Sequence, residues 1–178
     1  MRIHLLRNTL FTFKSLTFFL LVNLFVTHEA LALPWKEMNK LGESKLRVAF
    51  WDIYDAELYT TGNAFDENKP FALKLTYLRD FSKESLVKET KKQLKELNLL
   101  NERNNEQWFT RLLEIWVDVE KGDSITLYSN PQGEAVFYHN QNYLGKIDDK
   151  EFSKRFAAIW LSELTTQPEM RRELLGQR

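Results

Sequence analysis

LGESKLRVAFWDIYDAELYT, residues 41–60, is the stretch on which the fold turns. Its first half alternates: Arg47, Ala49 and Trp51 fall on one face, Val48 and Phe50 on the other. A two-residue period is the signature of a strand. Residues 53–60 continue the pattern, with Ala56 and Leu58 on one side and Asp55, Glu57 and Tyr59 on the other. The stretch therefore reads as two strands joined by a bend, with aromatic side chains at the join.

Downstream the strand pattern recurs. FALKLTYL, residues 71–78, sets Phe71, Leu73, Leu75 and Tyr77 on one face. Ser82 then reads as an N-cap, with Glu84 in the first turn where the helix dipole favours an acid. Leu86, Thr90, Leu94 and Leu97 keep helical spacing, opposite a lysine-rich wet face. A second helix is expected over residues 106–118, striped by Trp108, Leu112, Ile115 and Trp116. Three short strands follow at 124–129, 134–139 and 142–147, separated by the turn sequences NPQG and HNQN. Asp148 or Asp149 caps a third helix with Phe152, Phe156, Ile159 and Trp160 on its apolar edge. Thr166 and Glu169 are spaced as a capping box before a short last helix, and Gly176 marks its stop. Strands, helices, strands, helices is the order of an α+β domain: a mostly antiparallel sheet with helices packed on one face.

Upstream of the quoted stretch, residues 1–32 read as a secretory signal peptide. Arg2, Arg7 and Lys14 precede an apolar tract, SLTFFLLVNLFV, and Ala30-Leu31-Ala32 is a small-x-small cleavage site. The apolar tract is about 12 residues, against roughly 20 for a membrane-spanning helix. Residues 33–178 are then expected to form a single domain, periplasmic or secreted, with no stable membrane span after cleavage.

The composition narrows the function. Twenty-five basic against 25 acidic residues give no electrostatic pull toward nucleic acid. The chain has no cysteine, which removes disulfides, thiolate nucleophiles and zinc–thiolate sites. Beyond residue 32 a single histidine remains, His139, so a multi-histidine metal cage is not expected. Asp52, Asp55 and Glu57 lack the glycine-turned loop of a calcium site and read as solvated acids. No phosphate-binding glycine loop, HExxH or GxSxG is present, so no cofactor or metal is expected.

Four blocks together carry a family resemblance: LRVAFWDIYDAELYT (46–60), LKLTYLRDFSKESL (to Leu86), KGDSITLYSNPQGEAVFYHNQNYLGKI (121–147) and FAAIWLSELTTQPEMRRELLG (156–176). In order and spacing the chain resembles the bacterial exported branch of the chalcone isomerase-like proteins. The resemblance implies an open-faced β-sandwich and relatives that include a plant flavonoid enzyme and non-catalytic fatty-acid-binding proteins. It also implies what catalysis needs: an arginine for the anion, and a threonine and a tyrosine to polarise the ketone. The threonine position falls at or near Trp51 and the tyrosine position near Phe81, neither of which has a hydroxyl; Arg47 is the nearest arginine. Without oriented donors the electrostatic stabilisation of an oxyanion is lost.

The expectation is therefore a non-catalytic binding protein for a lipophilic ligand, carboxylate-bearing ones such as a fatty acid included. Arg47 is the candidate for a carboxylate and Trp51 for an acyl or aromatic body; Tyr54, Tyr59 and Tyr77 offer hydroxyls to a head group. Two other readings stay open: a structural or partner-binding envelope protein whose pocket has collapsed, and a residual isomerase or lyase.

Overall fold

The computed structural model describes residues 33–100 and 105–177; the expected signal peptide lies outside them. Six strands, β1 (Asn39–Val48), β2 (Trp51–Thr60), β3 (Phe71–Tyr77), β4 (Ser124–Ser129), β5 (Ala135–His139) and β6 (Asn142–Ile147), form one antiparallel sheet in sequence order. Two helices, α1 (Lys83–Glu96) and α2 (Asn105–Ile115), fall between β3 and β4, and two more, α3 (Lys150–Leu161) and α4 (Pro168–Leu174), follow β6. Ala32–Arg178 is a compact unit in its own right, with every one of these elements inside it.

Alternation along the strands splits the sheet into two unlike faces. Ala56, Leu58, Phe71, Leu73, Leu75, Ile125, Leu127, Phe137 and Ile147 are buried in the main core with Leu94, Leu112, Phe152 and Phe156 of the helices. On the other face a smaller cluster of Leu33, Trp35 and Ala72 gathers Met38, Tyr59, Tyr128 and Tyr138. The lead segment thus lays Trp35 edge-on against Tyr138, ring centroids 4.7 Å apart, and covers part of a face otherwise dressed with ion pairs.

The helix ends follow side-chain chemistry. Ser82 accepts from Ser85 N, and Asp118 accepts from Lys83 N, at the start of α1. Asp149 caps α3 through Glu151 N and also accepts from Trp108 Nε1, tying α2 to the start of α3. Two expectations are corrected. The expected capping box at Thr166 and Glu169 does not form: Gln167 is the N-cap of α4, Pro168 opens the helix, and Thr166 Oγ1 instead donates to Gln93 Oε1 of α1. Helix α2 ends at Ile115, and Trp116 follows it.

The larger correction concerns the quoted stretch. The alternation does not run through to Trp51, because Ala49 and Phe50 form a two-residue hairpin loop with Ala49 at φ 52°. Val48 pairs with Trp51 and Arg47 with Asp52. Directly opposed residues share a face, so Arg47 and Trp51 lie on opposite sides of the hairpin. A register shift between Leu46 and Arg47 leaves Ile53 without its own partner, a bulge on β2.

Two local contacts close the architecture. Gly42 of β1 passes so close to α4 that a Cβ there would strike the carbonyl oxygens of Glu173 and Leu174. At the opposite edge Asn140, at φ 57°, accepts from Ser124 N at 2.9 Å and donates to Asp123 Oδ1 at 2.9 Å, clasping the β5–β6 turn to the start of β4. The Asn140 amide, the Glu120 backbone N–H and His139 hold the Asp123 carboxyl down at about 2.

Two outcomes follow from these contacts. Gly42→Ala should destabilise the fold by about 1–3 kcal/mol, as overpacking does, because α4 must move off β1; urea unfolding measures it. Asp123 has a folded pKa below its unfolded one, so its contribution is complete above the ordinary carboxylate range and is lost as pH falls toward about 2. Asp123→Asn should therefore flatten the acid side of the stability–pH profile and leave a cost at neutral pH.

Candidate functional site

The helix layer does not close over the whole sheet. Between the β1–β3 end of the sheet and the facing sides of α1 and α3 lies a cavity of about 640 Å3. The sheet supplies its floor: Leu46 and Val48 from β1, Ile53 and Tyr54 from β2, Leu75 and Tyr77 from β3. The bulge puts the consecutive residues Ile53 and Tyr54 both on this floor, which strict alternation would forbid. Phe81, Leu86, Trp116, Ile159 and Trp160 give the apolar walls. Ser85, Glu89, Lys92, Gln93 and Glu96 along α1, with Thr166 and Gln167, supply the polar rim.

Inside, the polar groups are few and fixed. Trp160 Nε1 donates to the Tyr54 hydroxyl at 2.8 Å, pinning α3 over β2. The Tyr54 and Tyr77 rings meet edge-on at 6.1 Å, and Tyr77 meets Phe81 at 5.8 Å. Burial pushes both phenols well above the ordinary tyrosine range, so both stay neutral donors at any physiological pH. The Thr90 hydroxyl is spent on Leu86 O at 2.9 Å. Trp116, 4% exposed, carries a buried Nε1–H with no acceptor among the described residues. At the rim, Lys92 Nζ lies 3.3 Å from Glu89 and 4.0 Å from Glu96, and Gln93 Nε2 donates to Glu89 at 2.7 Å.

Of the residues singled out from the sequence, the structure brings Tyr54 and Tyr77 into this cavity and leaves three outside. Arg47 is exposed and bonded to Asp52 Oδ1 at 2.6 Å on the opposite face. Trp51 stands exposed at the hairpin, with the Arg79 guanidinium stacked 4.2 Å from its ring centroid. Tyr59 donates to Glu57 Oε1 on the far face, where burial and that carboxylate push its phenol up to about 12. The sequence reading joined Arg47 to Trp51 by counting in twos across a position where the chain turns back.

Sequence reasoning missed the cavity contribution of Ile53, Glu89, Gln93 and Trp160. The α1 signal was available: Leu86, Thr90 and Gln93 lie on one line at helical spacing, with Ser85, Glu89, Lys92 and Glu96 beside it. The bulge at Ile53 left no signal in composition or period.

Asp52, Asp55 and Glu57 are engaged by Lys40, Lys45, Arg47 and Lys74 on the other face. Among the described residues no cluster of histidine and acidic side chains could hold a metal ion. A second hollow, about 760 Å3, lies along the single loop from Thr60 to Pro70. It is a surface concavity, apart from the sheet–helix gap, and no convergent set of functional groups lines it.

A single antiparallel sheet with a gap beneath a helical layer is an open-faced α+β architecture. The sequence matches the chalcone isomerase-like family over residues 40–176, and the chain belongs to that family. It is similar in structure to a fatty-acid binding protein of Arabidopsis thaliana, with a TM-score of 0.64 and 10% identity over 78% of this chain and 87% of that one. No curated protein matches the sequence.

The hydrogen bond across the cavity predicts a measurable cost. Tyr54→Phe removes the acceptor of a partly buried indole N–H and should cost about 1–3 kcal/mol. Equilibrium unfolding of the Tyr54→Phe and Trp160→Phe variants and the double variant would show non-additive losses.

Proposed function

We propose that the protein is a non-catalytic binding protein for a lipophilic ligand with a long apolar body, acting in the periplasm or after secretion. The observation that carries this reading is the cavity of about 640 Å3 floored by Leu46, Val48, Ile53 and Leu75 and walled by Leu86, Ile159 and Trp160. Small-molecule sites typically span about 300–1,000 Å3 and are mostly apolar, with a few placed polar groups. Fatty-acid binding by a protein of the same fold supports this ligand class, and a fatty acid is the first ligand to test. The tripartite N-terminal pattern supports export; with no cysteine in the chain, the core is held by apolar burial.

The reading as non-catalytic rests on charge. Tyr54 and Tyr77 do bring two phenols into the cavity, so hydroxyls as such are not missing. What is missing is a free cation to hold a reacting anion: among the described residues no arginine lines the cavity, Lys92 at its rim stands between Glu89 and Glu96, and Arg47 is engaged with Asp52 on the other face. The reading as an envelope protein with a collapsed pocket requires a filled interior, and the open gap weighs against it.

Native mass spectrometry of purified residues 33–178, followed by lipid extraction, tests the proposal. Saturable uptake of a fluorescent lipid is expected, together with no cyclisation of a chalcone. Leu86→Trp, which places an indole in the gap, should weaken uptake by about tenfold or more, the equivalent of ~1.4 kcal/mol, while Arg47→Ala leaves it unchanged. A protein that takes up no lipophile, or whose uptake ignores Leu86→Trp, is not this kind of carrier.

A further inference from the structure

The charges around the cavity point to a ligand class narrower than "lipophile". A long-chain ligand can enter in two ways, with its head buried among the tyrosines or held at the rim. Each end of the cavity has its own chemistry, and they agree on what the head cannot be.

At the buried end there is no positive charge among the described residues. The polar atoms near the floor are the hydroxyls of Tyr54 and Tyr77. Tyr54 accepts from Trp160, which leaves its own O–H proton to be placed. Tyr77 makes ring contacts, and its hydroxyl has no hydrogen-bond partner among the described residues. A donor taken out of water without an acceptor is costly, so a ligand that covers these phenols is favoured when it brings an oxygen acceptor. An ionised carboxylate supplies oxygens but brings a full charge into a place with no counter-ion, where desolvation outweighs neutral hydrogen bonds.

At the rim the balance is unfavourable to an anion as well. Among the described residues Lys92 is the one cation lining the cavity, and it stands between Glu89 and Glu96. Two carboxylates against one ammonium leave the rim net negative. An anionic head placed there would have to displace a glutamate from Lys92 and sit beside the other. Arg47 and Arg79 do not relieve this: the first is bonded to Asp52, the second is stacked on Trp51, and neither lines the cavity.

We propose that the cavity selects lipophiles with an uncharged, hydrogen-bond-accepting head, such as an ester, ketone or amide, over ionised carboxylates. Rim and floor then act in one direction, the rim by repelling anions and the floor by donating to a neutral oxygen. The inference rests on the carrier reading above and specifies the ligand of that same site.

The test uses purified residues 33–178, the compact unit that contains the whole core, and displacement of a neutral fluorescent dye. The competitors are a matched-chain set: the carboxylic acid at neutral pH, its primary amide, its methyl ester and the parent alkane. The amide and the ester should displace the dye at least about tenfold more tightly than the acid. The double variant Glu89→Gln, Glu96→Gln should narrow the gap by improving the acid alone. Tyr77→Phe, which keeps the ring, should weaken the ester and amide and leave the alkane unchanged. Equal or tighter binding of the ionised acid would overturn the head-group assignment while leaving the carrier reading intact. Dye displacement by none of the four, the alkane included, would overturn the carrier reading itself. An unchanged acid affinity in the glutamate double variant would remove the rim from the account, and equal losses for ester and alkane in Tyr77→Phe would remove the phenol.

Discussion

Six antiparallel strands present more apolar surface on one face than the helices over it can cover. The sheet is a meander, so its width is set by six neighbouring strands, and the cover comes from two helical insertions, one after β3 and one after β6. Over the middle of the sheet the fit is dense: Leu73, Leu127, Phe137, Leu112 and Phe152 are almost wholly removed from water. Toward the β1–β3 end a gap remains beneath α1 and α3, and the sheet surface there is floored with side chains but not filled. The cavity is a consequence of that mismatch between sheet width and helical cover.

Holding such a gap open requires that its walls resist collapse, since apolar voids cost stability. Two features supply that resistance. Trp160 bridges from α3 to the Tyr54 hydroxyl of β2, a fixed-length strut across the space. The interlocked rings of Trp116, Phe137, Phe152 and Phe156 form a stiff block on the closed side, which keeps α3 from sliding into the opening. The rim is held as well, by the Glu89–Lys92–Glu96 run and the Thr166–Gln93 bond that joins α1 to the segment before α4.

On the reading proposed above, the same interactions separate carrying from catalysis. A ring-closing enzyme has to bind and release an anion in a dry site, which calls for a cation aimed inward. Here the strand alternation that turns Leu46 and Val48 toward the gap turns Arg47 away from it, onto the face where Asp52 waits. The phenols that remain are strong enough donors to orient a neutral oxygen and are too deeply buried to ionise.

Much of this was legible in the sequence. The period of two in residues 53–60 and 71–78 placed Ala56, Leu58, Leu73 and Leu75 on the covered face, and the turn residues of NPQG and HNQN gave the β4–β6 meander, because side-chain alternation and turn chemistry are local properties. The four sequence blocks fixed the family for the same reason, being read without any knowledge of contacts. Local reading failed where one residue changes register. Ala49 reverses the chain at a positive φ that its identity does not advertise, and this alone sent Arg47 and Trp51 to opposite faces. The bulge at Ile53 then turned two successive side chains into the gap. Whether α1 and α3 leave a gap over the β1–β3 end of the sheet depends on long-range packing among Trp116, Phe156, Trp160 and Tyr54. These residues are far apart in the chain, and only the tertiary structure brings them together to decide that the protein has a cavity.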